Sequence, residues 1–398
     1  MSEPLQKNYI FKIKETLYQY RGISRTQLAA LLSLSAPSVT AHINTLKTKG
    51  YVREVEPENW VQKGAGRKPM ALEYIPDSAY AMGMEVSPFQ TTVMVTDMQA
   101  TPIYKVKRPI ASDRYSEALQ QIKEWAFEAM ESTGLDRTKL LGLAVASPGY
   151  IDEREGIVKQ TYRQDWMGRQ LAADVFNATG IPTVVNNNAK VRALMMDLLF
   201  RSEVQEPFAY FYASKGISCP FVMGSQELTG QAAGAGEIGH MVMAKNGRHC
   251  DVCGNNGCLE AYSSENAILS RCRNLMGYNK ESFLNHIVAG PDQLTMSEVL
   301  KAQEYGDPDV CRVMNEAIEY MGIAIANIIN FVSPATIVVD AYTMKMQANR
   351  DLLLKTIHAN LLGLHISDVK IKFLDFDEFR GVHGACAYAL KSFFVDCR

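Results

Sequence analysis

The sequence predicts an α/β chain in which a small N-terminal winged helix-turn-helix precedes a larger two-lobed body. Three observations carry this. Residues 24–50 set two short amphipathic helices on a tight turn, residues 80–147 run through three strands, a long amphipathic helix and a buried strand, and a second strand-and-helix series starts near Phe208. The head is expected over 1–76, the first lobe over 77–200 with a completing C-terminal helix over 381–398, and the second lobe over 201–380.

At 398 residues, 47% hydrophobic and 21% charged, the chain has the length and composition of a soluble protein with more than one core. The start, MSEPLQKNYIFKIKE, lacks an apolar leader, and no run approaches the length of a membrane span, so a cytoplasmic protein with no membrane role is expected. Eight cysteines suit a reducing compartment better than a disulfide framework. The net charge of −2 hides an asymmetry: residues 1–75 hold eleven Lys/Arg against six Asp/Glu, hence +5, which leaves −7 for the remainder. A basic head on an acidic body points to an anionic polymer as the head's partner.

Within the head, Ile10, Ile13, Leu17 and Tyr20 recur at helical spacing, which turns the lysines outward. Ser24 is the expected N-cap of a second helix that buries Leu28, Leu31 and Leu32. Ser33-Leu34-Ser35 makes the turn, and a third helix buries Val39, Ile43 and Leu46 before Gly50 ends it. The outward set on this third helix is Ser38, Thr40, Ala41, Asn44, Thr45 and Lys47, small polar groups able to approach base edges. Arg25 and Ser35 join that DNA-facing set, while Lys47, Lys49 and Arg53 meet phosphates. Tyr51–Val55 and Met70–Tyr74 read as the two strands of a wing. Between them, Gly64 and Gly66 flank a flexible arm whose Arg67 and Lys68 are expected to enter a narrow minor groove.

In the body, Tyr80–Val86, Thr91–Thr96 and Ile103–Arg108 read as successive strands, Tyr115–Thr133 as an amphipathic helix and Leu140–Ala146 as a buried strand. This order suits the first lobe of an actin-like, hexokinase-like fold. The second lobe takes Phe208–Tyr212, a helix over Cys311–Phe331 and strands Thr336–Val339 and Lys370–Phe373; Gly381–Phe394 is a closing helix expected to pack back on the first lobe. Two lobes imply a cleft, where ligands bind.

The stretch GAGEIGHMVMAKNGRHCDVCGNNGCLEAY, Gly234 to Tyr262, gathers three cysteines and two histidines. Cys250, Cys253 and Cys258 form a C-x2-C-x4-C run through Gly254 and Gly257, with His240 ten residues upstream. Three thiolates and one imidazole make a closed tetrahedral site for structural zinc, which fixes a loop and leaves no position for a reactive water.

GEIGH followed by a cysteine cluster ending in CGNNGCLE resembles the signature of the ROK family of repressors and sugar kinases, and the winged helix with a Gly-Arg-x-Pro arm is similar to the family's repressors. The family's C-x-C spacing is here widened by Asp251 and Val252, which leaves His249 as an alternative to Cys250. Kinases of the family resemble D-x-G-G-T on the first hairpin, where this chain has Glu85-Val86-Ser87-Pro88-Phe89, and G-x-G-I-G on a second loop, where it has Ser214-Lys215-Gly216-Ile217-Ser218. A later glycine pair is replaced by Asp340-Ala341. The family's E-N-D-A, whose Asp is the general base, reads Asn186-Asn187-Asn188-Ala189, and an amide takes no proton near neutrality. No phosphoryl transfer is expected.

The resemblance implies that Asn187, Asn188, Glu237, His240 and Glu260 contact sugar hydroxyls, although Asn186–Asn188 also read as a self-capping turn and Glu260 as a helix start. Lys245, Arg248 and His249 are candidates for a phosphate if the effector is a sugar phosphate. The expected protein is thus a sugar-responsive repressor on operator DNA, assembled as a homodimer or homotetramer. Its rivals are a sugar kinase with a DNA-binding appendage and a repressor governed by a protein partner.

Overall fold

The computed structural model describes residues 3–56, 70–224, 226–228, 234–363 and 368–396. They form two compact units, one of residues 1–203 with 379–398 and the other of residues 204–378.

The first unit begins with α1 (Glu3–Gln19), α2 (Arg25–Leu32) and α3 (Ala36–Thr48), then β1 (Val52–Val55) and β2 (Ala71–Tyr74) pair antiparallel with Val52 opposite Tyr74. Local chemistry sets these ends. Ser24 and Gln27 form a capping box on α2, Ser33 turns through φ 54°, and Ser35 caps α3 by accepting from the Ser38 amide. Leu28, Val39, Ile43 and Leu46 are buried as the periodicity requires. The arm with Gly64, Gly66, Arg67 and Lys68 lies outside the described residues.

Three expectations for the head need correction. Tyr20 lies past the end of α1 and is 39% exposed, and Tyr18, whose hydroxyl donates to the Met98 carbonyl, is the buried aromatic instead. Leu31 is 49% exposed, because the stripe of α2 that meets the core is centred on Leu28. Lys14 points inward, with its ammonium donating to the Phe394 carbonyl at 2.7 Å and lying over the Phe394 ring. A second face of α1 is covered, so this lysine is buried by its long stem and satisfied at its tip.

The sheet of the first unit has the order β5-β4-β3-β6-β9, from β3 (Tyr80–Val86), β4 (Thr91–Asp97), β5 (Pro102–Arg108), β6 (Leu140–Ser147) and β9 (Thr183–Asn187). A small hairpin of β7 (Tyr150–Asp152) and β8 (Ile157–Gln160) stands beside it. β3 to β5 form an antiparallel meander, while β6 and β9 join β3 in parallel. The inner strands are buried on both faces and therefore read as continuous apolar runs, whereas edge strand β5 alternates with solvent. α4 (Tyr115–Thr133) and α5 (Leu171–Thr179) cover one face, and α6 (Asn188–Leu199) lies on the other.

The second unit holds β10 (Phe208–Ala213), β11 (Ile217–Ser218), β12 (Phe221–Met223) and β13 (Gln226–Glu227), then α7 (Glu260–Ser263), α8 (Glu265–Tyr278), α9 (Leu284–Ile287), α10 (Met296–Tyr305) and α11 (Pro308–Val332). β14 (Thr336–Ala341), α12 (Gln347–Ala359) and β15 (Lys370–Phe373) complete it. Among the described residues its sheet has the order β13-β12-β10-β14-β15, with β11 paired to β10. The middle of α11 packs Ile318, Met321, Ile325 and Ile329 on this sheet, while Val310, Val313 and Met314 near its start join a second cluster with α8 and α10.

The chain then returns to the first unit as α13 (Arg380–Leu390), continued by a short π-helical turn over Lys391–Val395. α13 packs on α6 and β3, and Phe394 reaches the aromatic rings of Tyr51 and Tyr74. The head and the α13 face of the sheet thereby share one continuous core. Among the described residues no helix is long and apolar enough to cross a membrane.

Candidate functional site

On the head, α3 exposes Thr40, Ala41, Asn44, Thr45 and Lys47, with Ser38 half-buried near Ser35. A residue that periodicity did not reveal organises this face. Glu54 on β1 accepts from Arg25 Nε through Oε1 at 2.7 Å and from Lys47 Nζ through Oε2 at 2.6 Å. These hydrogen bonds, Lys47's first and then Arg25's, hold the Glu54 carboxyl below its ordinary range.

In the second unit, the fold brings four of the expected donors together. One ligand atom each from His240, Cys250, Cys253 and Cys258 lies within 4.8 Å of the others. Cys253 Sγ is 3.5 Å from Cys258 Sγ, and Cys250 Sγ is 3.8 Å from His240 Nδ1, spacings that suit four ligands around one ion with bonds of about 2.0–2.3 Å. Cys250 belongs to the cluster despite the widened spacing, and His249 is exposed outside it. The loop closes because Gly254 and Gly257 adopt φ of 76° and 83°, and a Cβ on Gly257 would stand 1.8 Å from the Ala244 carbonyl oxygen. Burial, followed by the neighbouring Cys253 thiol, pushes the Cys258 thiol up to about 12. A divalent cation reverses that preference by binding thiolates, so the donor set fits a metal.

Glu260, first residue of α7, is buried beside this cluster, and its Oε2 accepts the Ile217 amide at 3.2 Å. A Cβ on Gly239 would lie 2.9 Å from that oxygen, so the second glycine of GEIGH makes room for the carboxylate. Burial raises the affinity of Glu260 for its proton. Glu237 precedes the short helical turn Ile238–His240 and is half-buried. Lys245, Arg248 and His249 are exposed, with Arg248 lying over the Tyr262 ring and 3.3 Å from Glu316.

In the first unit, Asn187 and Asn188 divide in role. Asn187 caps α6: its Oδ1 accepts from the Ala189 and Lys190 amides, and its Nδ2 donates to the Gly149 carbonyl at 2.7 Å. Local structure thus takes most of the amide expected to meet a sugar. The Asn188 side chain is 8% exposed and makes no hydrogen bond among the described residues. Beneath it, Arg192 Nη1 donates to the Asn188 carbonyl at 2.8 Å and pairs with Glu85 Oε1 at 2.7 Å, a buried ion pair that motif reading missed.

In the two loops that resemble the family's phosphate-binding loops, several amides have internal partners. Ser87 Oγ accepts from the Phe89 and Gln90 amides at 3.2 Å each, and in the second unit the Ile217 amide is given to Glu260.

With that geometry in view, the chain is matched by the ROK family over residues 81–392 and by a family described as winged helix-turn-helix DNA-binding over residues 8–53. The chain belongs to the ROK family. Among its relatives, the xylose repressor of Bacillus subtilis (strain 168) is 22% identical over 344 residues, covering 85% of this chain and 84% of its own. The DNA-binding transcriptional dual regulator NagC of Escherichia coli (strain K12) is 24% identical over 329 residues, covering 81% and 77%. In fold, the chain is similar to a crystal structure of a ROK family transcriptional regulator, a homolog of the E. coli MLC protein, with TM-score 0.81, 22% identity and coverage of 98% and 97%. A ROK family glucokinase from Streptomyces griseus in complex with glucose and AMPPNP gives TM-score 0.68 at 20% identity, covering 79% of this chain and 100% of that one.

Proposed function

We propose that this protein is a sugar-responsive transcriptional repressor that binds operator DNA through α3 and its wing and senses a sugar or sugar derivative in a body without kinase activity. The observation that carries the reading is the pairing of a polar, exposed recognition helix with a ROK body whose general-base position is Asn188. The relatives named as xylose repressor and NagC support it. Arg25, Ser35, Ser38, Thr40, Ala41, Asn44 and Lys47 face the DNA, with Arg67 and Lys68 on the arm. Two-fold operators call for a homodimer or homotetramer.

On the second unit, Glu237, Glu260 and His240 are assigned to effector hydroxyls, and on the first unit Asn188, with a lesser share for Asn187. Carboxylate and amide groups suit a polyol because each hydroxyl both donates and accepts, so a wrong epimer leaves a buried group unpaired. An effector that binds the protein more tightly off DNA than on it lowers operator affinity by that ratio and no more. Asn188 accepts a hydrogen bond but takes no proton, and the amides of Phe89, Gln90 and Ile217, held by Ser87 and Glu260, are lost to a nucleotide cradle.

His240, Cys250, Cys253 and Cys258 hold zinc in this reading. Bound zinc supplies a rigid tetrahedral anchor, and His240 Nδ1 facing the thiols leaves Nε2 for the effector side. Elemental analysis of the purified protein is expected to find one zinc per chain, and Cys258→Ser to lower that content with a loss of sugar-induced release from DNA. Full metal content and unchanged induction in Cys258→Ser would count against it.

The function itself is tested with a panel of sugars and sugar phosphates. One member is expected to raise the melting temperature and to release the protein from operator fragments. ATP turnover stays at background with every sugar, and sugar-dependent turnover well above it would replace the repressor reading with a kinase.

A further inference from the structure

Arg25 occupies the first position of α2, and its guanidinium reaches three acceptors. Nε donates to Glu54 Oε1 at 2.7 Å, Nη2 to Asn44 Oδ1 at 3.1 Å and Nη1 to the Thr40 carbonyl at 3.4 Å. Lys47 holds the other Glu54 oxygen at 2.6 Å. The wing strand, α2 and the recognition helix are therefore tied together at one point. A guanidinium carries donors only, so it decides which end of the Asn44 amide faces it: the oxygen turns toward Arg25 and Nδ2 turns away. Asn44 is exposed on α3.

We propose that Arg25 and Asn44 form one donor-only reading edge, held in place by Glu54, which selects guanine over adenine at the base pair it meets in the major groove. The inference rests on the operator-binding reading above. An unrestrained asparagine favours adenine, accepting from N6 while donating to N7. Here the Asn44 oxygen already faces a cation, and the same positive charge repels the adenine N6 amino group. The Asn44 Nδ2 hydrogens and the guanidinium edge instead match O6 and N7 of guanine, which are both acceptors. Arg25 and Glu54 each keep 25% of their side-chain surface in contact with solvent, which screens the pair, so the main contribution of the Glu54 clamp is orientation.

The test is selection of bound sequences from a randomised DNA library by the full chain, read as the guanine-to-adenine ratio at each position. The wild type is expected to favour guanine about tenfold at one position of each half-site. Arg25→Met frees the Asn44 oxygen, and that ratio should collapse or invert toward adenine. Asn44→Asp is the second variant: it retains the Arg25 contact but turns the reading end into an acceptor, so guanine should give way to cytosine at the same position. Unchanged ratios in Arg25→Met, or guanine retained in Asn44→Asp, overturn the proposal. A wild type that enriches no sequence removes the operator-binding reading itself and this inference with it.

Discussion

Replacing Phe394 with alanine is expected to destabilise the first unit by about 3–5 kcal/mol, the range for deleting a large buried aromatic side chain. Phe394 is 4% exposed, stands edge-on to Tyr51 and Tyr74, and lies under the Lys14 ammonium at 4.6 Å. Its loss opens a cavity at the junction of α1, the wing strands and the end of α13, and it removes the apolar cover from Lys14. Urea unfolding followed through Trp166, fully buried on the far side of the same unit's sheet, measures the effect. Tyr278→Ala is the control, since that side chain is 91% exposed and its loss should change stability by about 0.5 kcal/mol or less. A shift of less than about 1 kcal/mol in Phe394→Ala would show that the head keeps its own core without the C-terminal turn that carries Phe394.

Arg192→Met is expected to cost a similar amount, about 3–5 kcal/mol, because it leaves the Glu85 carboxylate buried without its partner. The side chains of Arg192 and Glu85 are 7% and 5% exposed, so water cannot replace the lost contact. Combining Arg192→Met with Glu85→Gln removes the stranded charge and should restore more than half of the loss. If the double variant is no better than Arg192→Met, the cost comes from packing of the guanidinium and not from charge. The pair spans β3 and α6, the elements carrying the altered Glu85 hairpin and Asn188, so its loss should also weaken any effector response measured by thermal shift.

Much of the architecture was legible because its signals are local. The Ser24 and Ser35 caps, the αL turn at Ser33 and the stripe Val39, Ile43, Leu46 each depend on neighbours within four residues. The helix Tyr115–Thr133 and the strand Lys370–Phe373 have the bounds that periodicity predicts. The cysteine cluster was readable in part: His240, Cys253 and Cys258 stood out by spacing and the loop glycines take the positive φ that the turn requires, but only the structure places Cys250 and not His249 with them.

The misreadings arose where distant chain segments meet. Periodicity turned Lys14 outward because nothing near it announces Phe394, 380 residues away, as its acceptor. Leu31 shares the apolar face of α2 but is 49% exposed, because α2 alone does not say which part of that face is covered. Glu54 reads as one more charge on a wing strand until the fold sets it between Arg25 and Lys47. Asn187 and Asn188 carry the same side chain, yet one caps α6 and the other has no hydrogen-bond partner among the described residues.

By itself, then, the sequence determined the family, the order of elements and the absence of a carboxylate at Asn188, because these follow from side-chain identity and short-range spacing, while the choice of Cys250 over His249 in the cysteine cluster came from the fold. Only the tertiary structure decided which polar groups are already engaged: Asn187 by a helix end, the Ile217 amide by Glu260, Arg25 by Glu54 and Asn44, and Glu85 by Arg192. The physical reason is that a hydrogen bond or ion pair depends on separation in space, and burial makes each one costly to leave unmade, so the partners come from wherever the fold brings the chain together.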